Sequence, residues 1–201
     1  MDFDFLENPL KNYIENLSEK TPVPGGGSAS ALLSCLSSSL LNMVLNYTIG
    51  KKGYEKYEDE MKKLREENEK IMKECLNFIE EDSKIYLKID KNLREKKDCE
   101  EFLRESVFLH LKICENMLKV VNFCEIVAEK GNKNLISDTA ISNIFAYSSF
   151  LSSKINILIN LKFLKDKNFK SEIKEKLKKI EEEIRIKSQE NHEKMVKKME
   201  E

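Results

Sequence analysis

The sequence has few residues that interrupt helices and few that bind metals. It contains no tryptophan, three prolines and six glycines in 201 residues. Its two histidines, His110 and His192, do not form an HExxH motif, and its cysteines show no CxxC spacing. Protein zinc sites are built from closely spaced Cys and His ligands, so we expect no metal site. The cysteines are odd in number and fall mostly at apolar helix positions, so we expect buried thiols: Cys35, Cys75, Cys99, Cys114 and Cys124.

The chain carries almost no excess charge of either sign. It has 35 basic and 36 acidic residues, for a net charge of −1. No global field therefore attracts nucleic acid or an anionic membrane. The acidic start MDFDFLENPL lacks the pattern of a signal peptide, and no apolar run approaches about 20 residues. We expect a cytoplasmic protein, with neither nucleic acid nor a membrane as a partner.

The residues that are abundant favour long helices. Hydrophobic residues make up 40% of the chain and charged residues 35%, and apolar residues recur every three or four positions. The length suits a single domain, residues 1–201, that holds a real core. We expect an all-α bundle of long antiparallel helices that dimerises through helix faces.

The predicted helices cover about 9–18, 28–49, 54–91, 99–130, 138–164 and 168–200, with Asn8 as the first N-cap and Ser137 or Asp138 as a later one. The last helix is almost wholly charged after Ile184, so we expect its end to be solvated or frayed.

The second helix combines an apolar stripe with small flanks. Its stripe is regular, and the residues beside it are mainly serines, which let helix backbones approach closely. This texture suits either a central helix packed on several sides or a helix packed against its own copy across a two-fold axis. The fifth helix has a similar serine content, so we expect the two to pack together. The stripe consists of Ala29, Leu33, Leu36, Leu40, Met43 and Tyr47.

Three polar residues interrupt the otherwise apolar seams of the third and fourth helices. Asn68 is explained as a residue that sets helix register. His110 is more often a hydrogen-bonded core residue than a catalyst. Asp82 is harder to explain, because burying a lone carboxylate costs several kcal/mol. We expect Asp82 to be paired, hydrogen-bonded or open to a cavity.

The residues that break helices are concentrated between 21 and 54. Five of the six glycines and two of the three prolines lie there, including the run Gly25 to Gly27 after Thr21-Pro-Val-Pro. The run lacks the Gly-Lys-Ser/Thr end of a P-loop and follows no strand, so it fits neither common nucleotide motif. Three glycines before a helix either expose backbone amides to an anionic or polar ligand or form a tight structural turn.

Five segments, taken in order, resemble one known family. They are TPVPGGGSASALL, GKKGY, the Asp82-x-x-x-Tyr86 pattern, GNKNLISDTA and NILINLK. In this order they are similar to the cyclodeaminase/cyclohydrolase family of folate enzymes, over nearly the whole chain. That family includes the C-terminal half of the animal formiminotransferase-cyclodeaminase and bacterial methenyltetrahydrofolate cyclohydrolases. The resemblance implies an all-helical subunit, a dimer or higher oligomer, and a folate site lined by the glycine-rich loop and nearby helix ends.

The resemblance also implies roles for particular residues. Asp138 is the favoured acid/base, and Asp82 the favoured group for stabilising positive charge or orienting the substrate, although the two roles can be exchanged. Lys51 and Lys52 either attract the glutamate carboxylates of the folate or complement a helix dipole. Substrate-binding residues implied are Pro24, Gly25, Gly26, Gly27, Ser28, Lys51, Lys52, Tyr86, Ser137, Asn156 and Asn160, of which at least one asparagine is expected to serve helix packing.

Two reactions and one non-catalytic role follow as expectations. The family implies either 5-formiminotetrahydrofolate cyclodeaminase or 5,10-methenyltetrahydrofolate cyclohydrolase, with no cofactor beyond the tetrahydrofolate substrate and a glutamate formiminotransferase as pathway partner. The alternative is a non-catalytic helical dimer or interaction module that retains the fold. The chain departs from the family pattern in two places. Phe108 in place of a proline is expected to straighten the fourth helix, and the altered connection from Asn92 to Cys99 is expected to remodel one wall of the pocket.

Overall fold

Six α-helices carry most of residues 4–201, the part of the chain that the computed structural model describes. Short 3-10 turns at Glu55–Tyr57 and Lys133–Leu135 precede the third and fifth helices, and this part of the chain contains no strand. The all-α prediction is confirmed. The helices are α1 Leu10–Ser18, α2 Gly26–Asn46, α3 Glu58–Arg94, α4 Glu100–Lys130, α5 Ile136–Phe163 and α6 Lys167–Glu200.

The four longest helices follow one another through short connections, so neighbours run antiparallel. α2 packs between α3 and α5, and α5 in turn packs against α4 and α6. One hydrophobic core joins them, because buried side chains from all six helices belong to the same cluster. The largest fully buried side chains include Phe150, Leu41, Leu45, Met61, Ile113 and Met117.

α2 buries its small residues together with Leu41 and Leu45, and leaves most of the predicted apolar stripe only partly buried. Its serines reach across to α5: Ser37 donates to the carbonyl of Ser142 (2.8 Å), Ser142 donates back to the carbonyl of Ser37 (2.9 Å), and Ser149 donates to the carbonyl of Ser30 (3.0 Å). The prediction that α2 and α5 pack together is confirmed. In contrast, Leu36 on the predicted apolar stripe is exposed.

α2 is also long and apolar enough to resemble a membrane-spanning helix by length and composition, which the sequence prediction had missed. Its most apolar stretch is nevertheless 61% buried inside the bundle. A core helix packed on two sides has this character, because its neighbours cover it in place of lipid.

The end of α6 is packed, although we predicted it to be solvated. Ser188, Asn191 and Met195 are buried there. The amide of Asn191 donates to the carbonyl of Val121 on α4 (2.9 Å). The prediction was wrong because this contact uses small and polar residues, which an apolar pattern does not reveal.

Two predicted helix caps are also wrong. α5 begins at Ile136, with Leu135 at the N-cap, so neither Ser137 nor Asp138 caps it. The side chain of Asn132 instead accepts from the Asn134 amide (3.3 Å) and starts the preceding 3-10 turn. At α1 the N-cap is Pro9, and the Asn8 side chain donates backward to the Asp4 carbonyl.

Candidate functional site

A cavity of about 450 Å³ opens where α2 begins, α4 begins and α5 ends, with the second half of α3 along one side. Asp82, Tyr86 and two asparagines make part of its wall polar, and aliphatic and aromatic side chains make the remainder apolar. The lining residues are Pro22, Val23, Gly25, Gly26, Gly27, Asp82, Tyr86, Ile89, Leu93, Cys99, Leu103, Ser106, Asn156, Ile159, Asn160 and Phe163.

The glycine run forms the rim of this cavity as the first turn of α2. Gly25 is the N-cap in extended backbone, and α2 begins at Gly26. The first amides of a helix have no partner within the helix, and its dipole places partial positive charge there. The rim therefore presents N–H donors and a favourable field to polar or anionic groups.

Gly27 is required by the position of Asp82. A Cβ atom built on Gly27 would lie 2.1 Å from Oδ1 of Asp82, whereas Cβ atoms built on Gly25 and Gly26 would meet nothing within 4 Å. The carboxylate thus rests directly against the backbone of the first turn of α2. Negative charge is electrostatically favourable at this end of a helix.

Asp82 is hydrogen-bonded and also faces the cavity, as predicted. Its side chain is 13% exposed, and Oδ1 lies 3.1 Å from Nε2 of His110. His110 is 1% exposed, which confirms that it is a hydrogen-bonded core residue. The sequence did not indicate that its partner would be the candidate catalytic carboxylate.

Ser28 and Pro24 are buried beside the glycine rim in the sequence and do not line the cavity. Ser28 is buried; its hydroxyl donates to the Ile79 carbonyl (2.8 Å) and lies 3.1 Å from the hydroxyl of Tyr13. Burial raises the pKa of the Tyr13 phenol. These contacts attach the rim to α3 and α1, so we assign Ser28 a structural part in the site.

Asn156 and Asn160 both face the cavity, one helical turn apart on α5. The Asn156 amide donates to the carbonyl of Ser152 (3.1 Å) and to the hydroxyl of Ser30 (3.4 Å), and the Asn160 amide donates to the hydroxyl of Ser106 (2.8 Å). Their NH₂ groups thus serve helix packing. This arrangement leaves the amide oxygen of each as the atom available to a ligand.

The remaining candidate residues lie at the opposite end of the bundle. Lys51 donates to the side chain of Asn132 (3.0 Å), and the hydroxyl of Tyr54 accepts from the amide of Lys133 (3.1 Å). These bonds join the GKKGY segment to the segment that leads into α5. We call this the distal cluster; it also includes the neighbouring positions Lys52, Ser137 and Asp138.

Within one chain the structure does not bring the distal cluster to the cavity. α2 has 21 residues, which at 1.5 Å per residue separates its ends by roughly 30 Å. Asp138 is likewise 18 residues before Asn156 on the continuous helix α5, a distance of about 27 Å. Asp82 and Asp138 therefore belong to different ends of the subunit.

Sequence reasoning missed most of the apolar wall. Ile89 and Leu93 follow Tyr86 at helical spacing on α3, and Ile159 and Phe163 follow Asn156 and Asn160 in the same way on α5, so extending the helical face from the candidate residues would have found them. The residues that were missed are Val23, Ile89, Leu103, Ser106, Ile159 and Phe163.

The two departures from the family pattern have different positions. Leu93 and Cys99, in and at the end of the altered connection, line the cavity wall. Phe108 packs edge-on against Phe169 of α6, with ring centroids 5.5 Å apart, and does not line the cavity. The altered connection thus bears on the pocket, whereas Phe108 bears on helix packing.

No group of three or more His, Cys, Asp or Glu side chains in residues 4–201 is placed to hold a metal ion. The groups around the cavity that can transfer protons are Asp82, Tyr86 and the thiol of Cys99. Of these, the carboxylate is the group suited both to accepting a proton and to stabilising positive charge.

Comparison with known proteins gives one consistent result. The chain resembles the methenyltetrahydrofolate cyclohydrolase of Methylorubrum extorquens, at 29% identity over 183 residues that cover 86% of each chain. It is 23% identical to the formimidoyltransferase-cyclodeaminase of Gallus gallus, covering 92% of this chain and 36% of that protein. The crystal structure of formiminotetrahydrofolate cyclodeaminase from Thermotoga maritima superposes with a TM-score of 0.90, at 30% identity, covering 96% of this chain and 98% of that one. Residues 9–179 match the family model described as formiminotransferase-cyclodeaminase, and the chain therefore belongs to this family.

Proposed function

We propose that the protein is a formiminotetrahydrofolate cyclodeaminase whose reaction takes place in the cavity at the start of α2. The observation that carries this proposal is the position of Asp82, a largely buried carboxylate that faces the cavity beside the glycine rim. The likeness to the Thermotoga maritima cyclodeaminase over nearly the full length of both chains supports it.

The reaction needs a group that moves a proton and stabilises positive charge. N10 of the folate forms a bond to the formimino carbon on N5 and loses its proton. The amino group on that carbon gains a proton and leaves as ammonia, so the product is the cationic methenyl bridge between N5 and N10. In our proposal Asp82 accepts the N10 proton and passes it to the departing amino group, and the carboxylate regenerated in this way balances the cation. The folate is the only small molecule required.

The polar part of the cavity wall suits the pterin ring of the folate, and the apolar part suits its aminobenzoyl ring. The amides of the glycine rim and the oxygens of Asn156 and Asn160 can bond the polar edge of the pterin ring. The apolar side chains of Ile89, Leu93 and Phe163 can cover the aminobenzoyl ring. Its volume of about 450 Å³ lies within the usual range for small-molecule sites.

Methenyltetrahydrofolate cyclohydrolase is the second candidate, favoured by the Methylorubrum extorquens relative. In that reaction water attacks the methenyl cation, so the same carboxylate would accept a proton from the water. Purified protein incubated with each folate separates the two. Appearance of the methenyl absorbance with ammonia release indicates a cyclodeaminase, and accelerated loss of that absorbance indicates a cyclohydrolase.

Substitution of Asp82 tests the site itself. We expect Asp82→Asn to lower kcat at least 100-fold, because the amide cannot accept the proton. Activity near that of the unmodified protein would remove Asp82 from its role. Absence of either folate reaction in the unmodified protein, together with absence of folate binding in a calorimetric titration, would favour the non-catalytic helical module.

In a homodimer, the cavity of one subunit can lie close to the distal cluster of the other. α5 carries an exposed apolar stripe along its length, and Leu36 and Tyr47 of α2 are exposed as well. If α5 packs antiparallel to its copy across a two-fold axis, the end that carries Asp138 approaches the end of the partner that carries Asn156. Lys51 and Lys52 of one subunit could then attract the glutamate carboxylates of a folate in the other. The exposed residues of this stripe are Ile141, Ile144, Leu151, Ile155 and Leu158.

If a shared site needs both Asp82 and Asp138, two variants that each lack one of these carboxylates are inactive alone, and mixing them tests the shared site. Asp82→Asn and Asp138→Asn each leave every site of a homodimer with one lost carboxylate. In a mixed dimer one site loses both groups and the other keeps both, so random pairing restores about a quarter of the original activity. A mixture no more active than its separate components would contradict the shared site.

The metabolic setting is part of the same proposal. The formimino group must be placed on N5 by a separate transfer reaction, for which a glutamate formiminotransferase is the expected class of enzyme. The match of this chain to only 36% of the Gallus gallus protein fits an arrangement in which the transferase belongs to another segment or another chain. We place the reaction in the cytoplasm.

A further inference from the structure

The surroundings of His110 determine which residue donates the hydrogen bond between His110 and Asp82. Nε2 of His110 lies 3.1 Å from Oδ1 of Asp82. Nδ1 of the same ring is buried and has no hydrogen-bond partner within residues 4–201. A proton on Nδ1 would therefore be a buried donor without an acceptor, which is unfavourable.

The proton of the neutral ring is accordingly on Nε2. An ionised carboxylate only accepts hydrogen bonds, so the His110 ring donates to Oδ1 of Asp82. Oδ2 has no hydrogen-bond partner among the described residues and is the oxygen left for a ligand. The carboxylate is thus held on one side by an imidazole N–H and on another by the Gly27 backbone.

The two residues come from different helices. Asp82 lies on α3 and His110 on α4, and the latter is almost completely buried, so it does not itself line the cavity. A folate in the cavity would contact the carboxylate but not the imidazole. Any effect of His110 on the reaction must pass through Asp82.

We propose that His110 is a positioning residue, which holds Oδ1 of Asp82 against the first turn of α2 and directs Oδ2 into the cavity. This inference rests on the proposed function for its effect on turnover, whereas the hydrogen bond can be tested independently. Reactions that depend on placed groups lose about 10- to 100-fold in rate when a group moves by an ångström.

Two substitutions separate positioning from packing. Glutamine can present a side-chain N–H in place of Nε2, whereas phenylalanine fills a similar volume without a donor. We expect His110→Phe to lower kcat about 10- to 100-fold with KM changed less than about threefold. We expect His110→Gln to recover kcat to within about fivefold of the original. Loss of thermal stability in His110→Phe with unchanged kcat would overturn the proposal.

Nitrogen NMR tests the hydrogen bond without any enzymatic assay. The chain has only two histidines, and His192 is exposed on α6, so His192→Gln assigns the spectrum of ¹⁵N-histidine-labelled protein. We expect the His110 signals at pH 8 to report a proton on Nε2 and none on Nδ1, and to shift in Asp82→Asn. A proton on Nδ1 would overturn the proposal. If no folate activity is found, this spectrum still decides whether His110 holds Asp82.

Discussion

At the scale of single residues, the site depends on the carboxylate of Asp82 and on the absence of a side chain at Gly27. Asp82 occupies the space that a side chain at residue 27 would fill. The adjacent Gly25 and Gly26 have open space at the same position. The three glycines are therefore not equivalent, although they are indistinguishable in the sequence.

We expect Gly27→Ala to destabilise the protein and to impair the site. The new methyl group must displace Asp82 or the first turn of α2, and overpacking of this kind costs about 1–3 kcal/mol. Thermal denaturation followed by circular dichroism measures the loss. Gly26→Ala is the matched control and should melt at or above the original temperature, since its Cβ meets nothing and alanine favours helix. Equal melting temperatures for the two variants would contradict the clash.

The cysteines differ in reactivity for a physical reason. Burial raises the pKa of Cys75 and of Cys124 to about 12, and it raises the pKa of the Cys35 and Cys114 thiols as well. Thiolates are the reactive form of cysteine. Cys99, which we also expected to be buried, is instead partly exposed and lies in the cavity wall.

We expect an alkylating reagent at pH 8 to modify Cys99 well before the four buried thiols. Mass spectrometry of the digested protein identifies the labelled residue, and Cys99→Ser should remove the fast phase of labelling. Bound folate should slow this phase, because the thiol lines the proposed site. Labelling of Cys75 at the rate of Cys99 would show that the bundle opens readily.

At the scale of elements, the helix boundaries were largely predictable from the sequence, whereas the side of each helix that is buried was not. Gly50 and Gly53 adopt positive φ angles of 74° and 94°, which other residues avoid, and such breaks can be recognised without a structure. The period of α2 showed an apolar stripe but not which side would be buried. The small residues and the predicted apolar stripe were both compatible with packing, and the positions of α3 and α5 determined which side of α2 is buried.

The pairing of side chains on different helices was beyond sequence reasoning. Asp82 was predicted to be hydrogen-bonded or open to a cavity because burying a charge is costly. His110 as its partner required the register of α3 against α4, which no pattern within either helix contains. For the same reason the separation of Asp138 from Asp82 became evident only from the length and direction of α5.

The end of α6 offers a test of whether its charged sequence is packed. Met195 is fully buried and Met199 is 45% exposed one turn later. We expect Met195→Ala to lower the free energy of unfolding by about 2–5 kcal/mol, as truncation of a buried methionine does. Met199→Ala should change it by less than about 0.5 kcal/mol. Urea denaturation measures both, and equal values would mean that the end of α6 is not packed in solution.

At the scale of the whole molecule, the exposed stripe of α5 is the feature that a monomer does not explain. A row of isoleucines and leucines along one helix is more apolar than a solvated face requires. Residues 1–201 are, in our proposal, one domain that presents this face to a second copy. The division of candidate residues between the two ends of the bundle is compatible with that assembly.

We expect Ile144→Glu to convert a dimer into monomers. A charge at the centre of an apolar interface must lose its hydration without gaining a partner. Light scattering after gel filtration measures the mass, and Ile186→Glu on α6 is the control, because Ile144 and Ile186 are 43% and 49% exposed. Because Ile144 does not line the cavity, a simultaneous loss of activity would indicate that the partner subunit contributes to the site. A monomeric mass for the unmodified protein would contradict the dimer.

The reciprocal hydrogen bonds between Ser37 and Ser142 hold α2 and α5 in one register relative to each other. Each hydroxyl donates to the backbone of the other residue, so sliding α2 by one turn along α5 would break both bonds and displace the ends by about 5.4 Å. In a dimer that shares its sites, this spacing must match between copies. An insertion in either helix would therefore disturb two active sites at once, and length changes should be tolerated only in the connections.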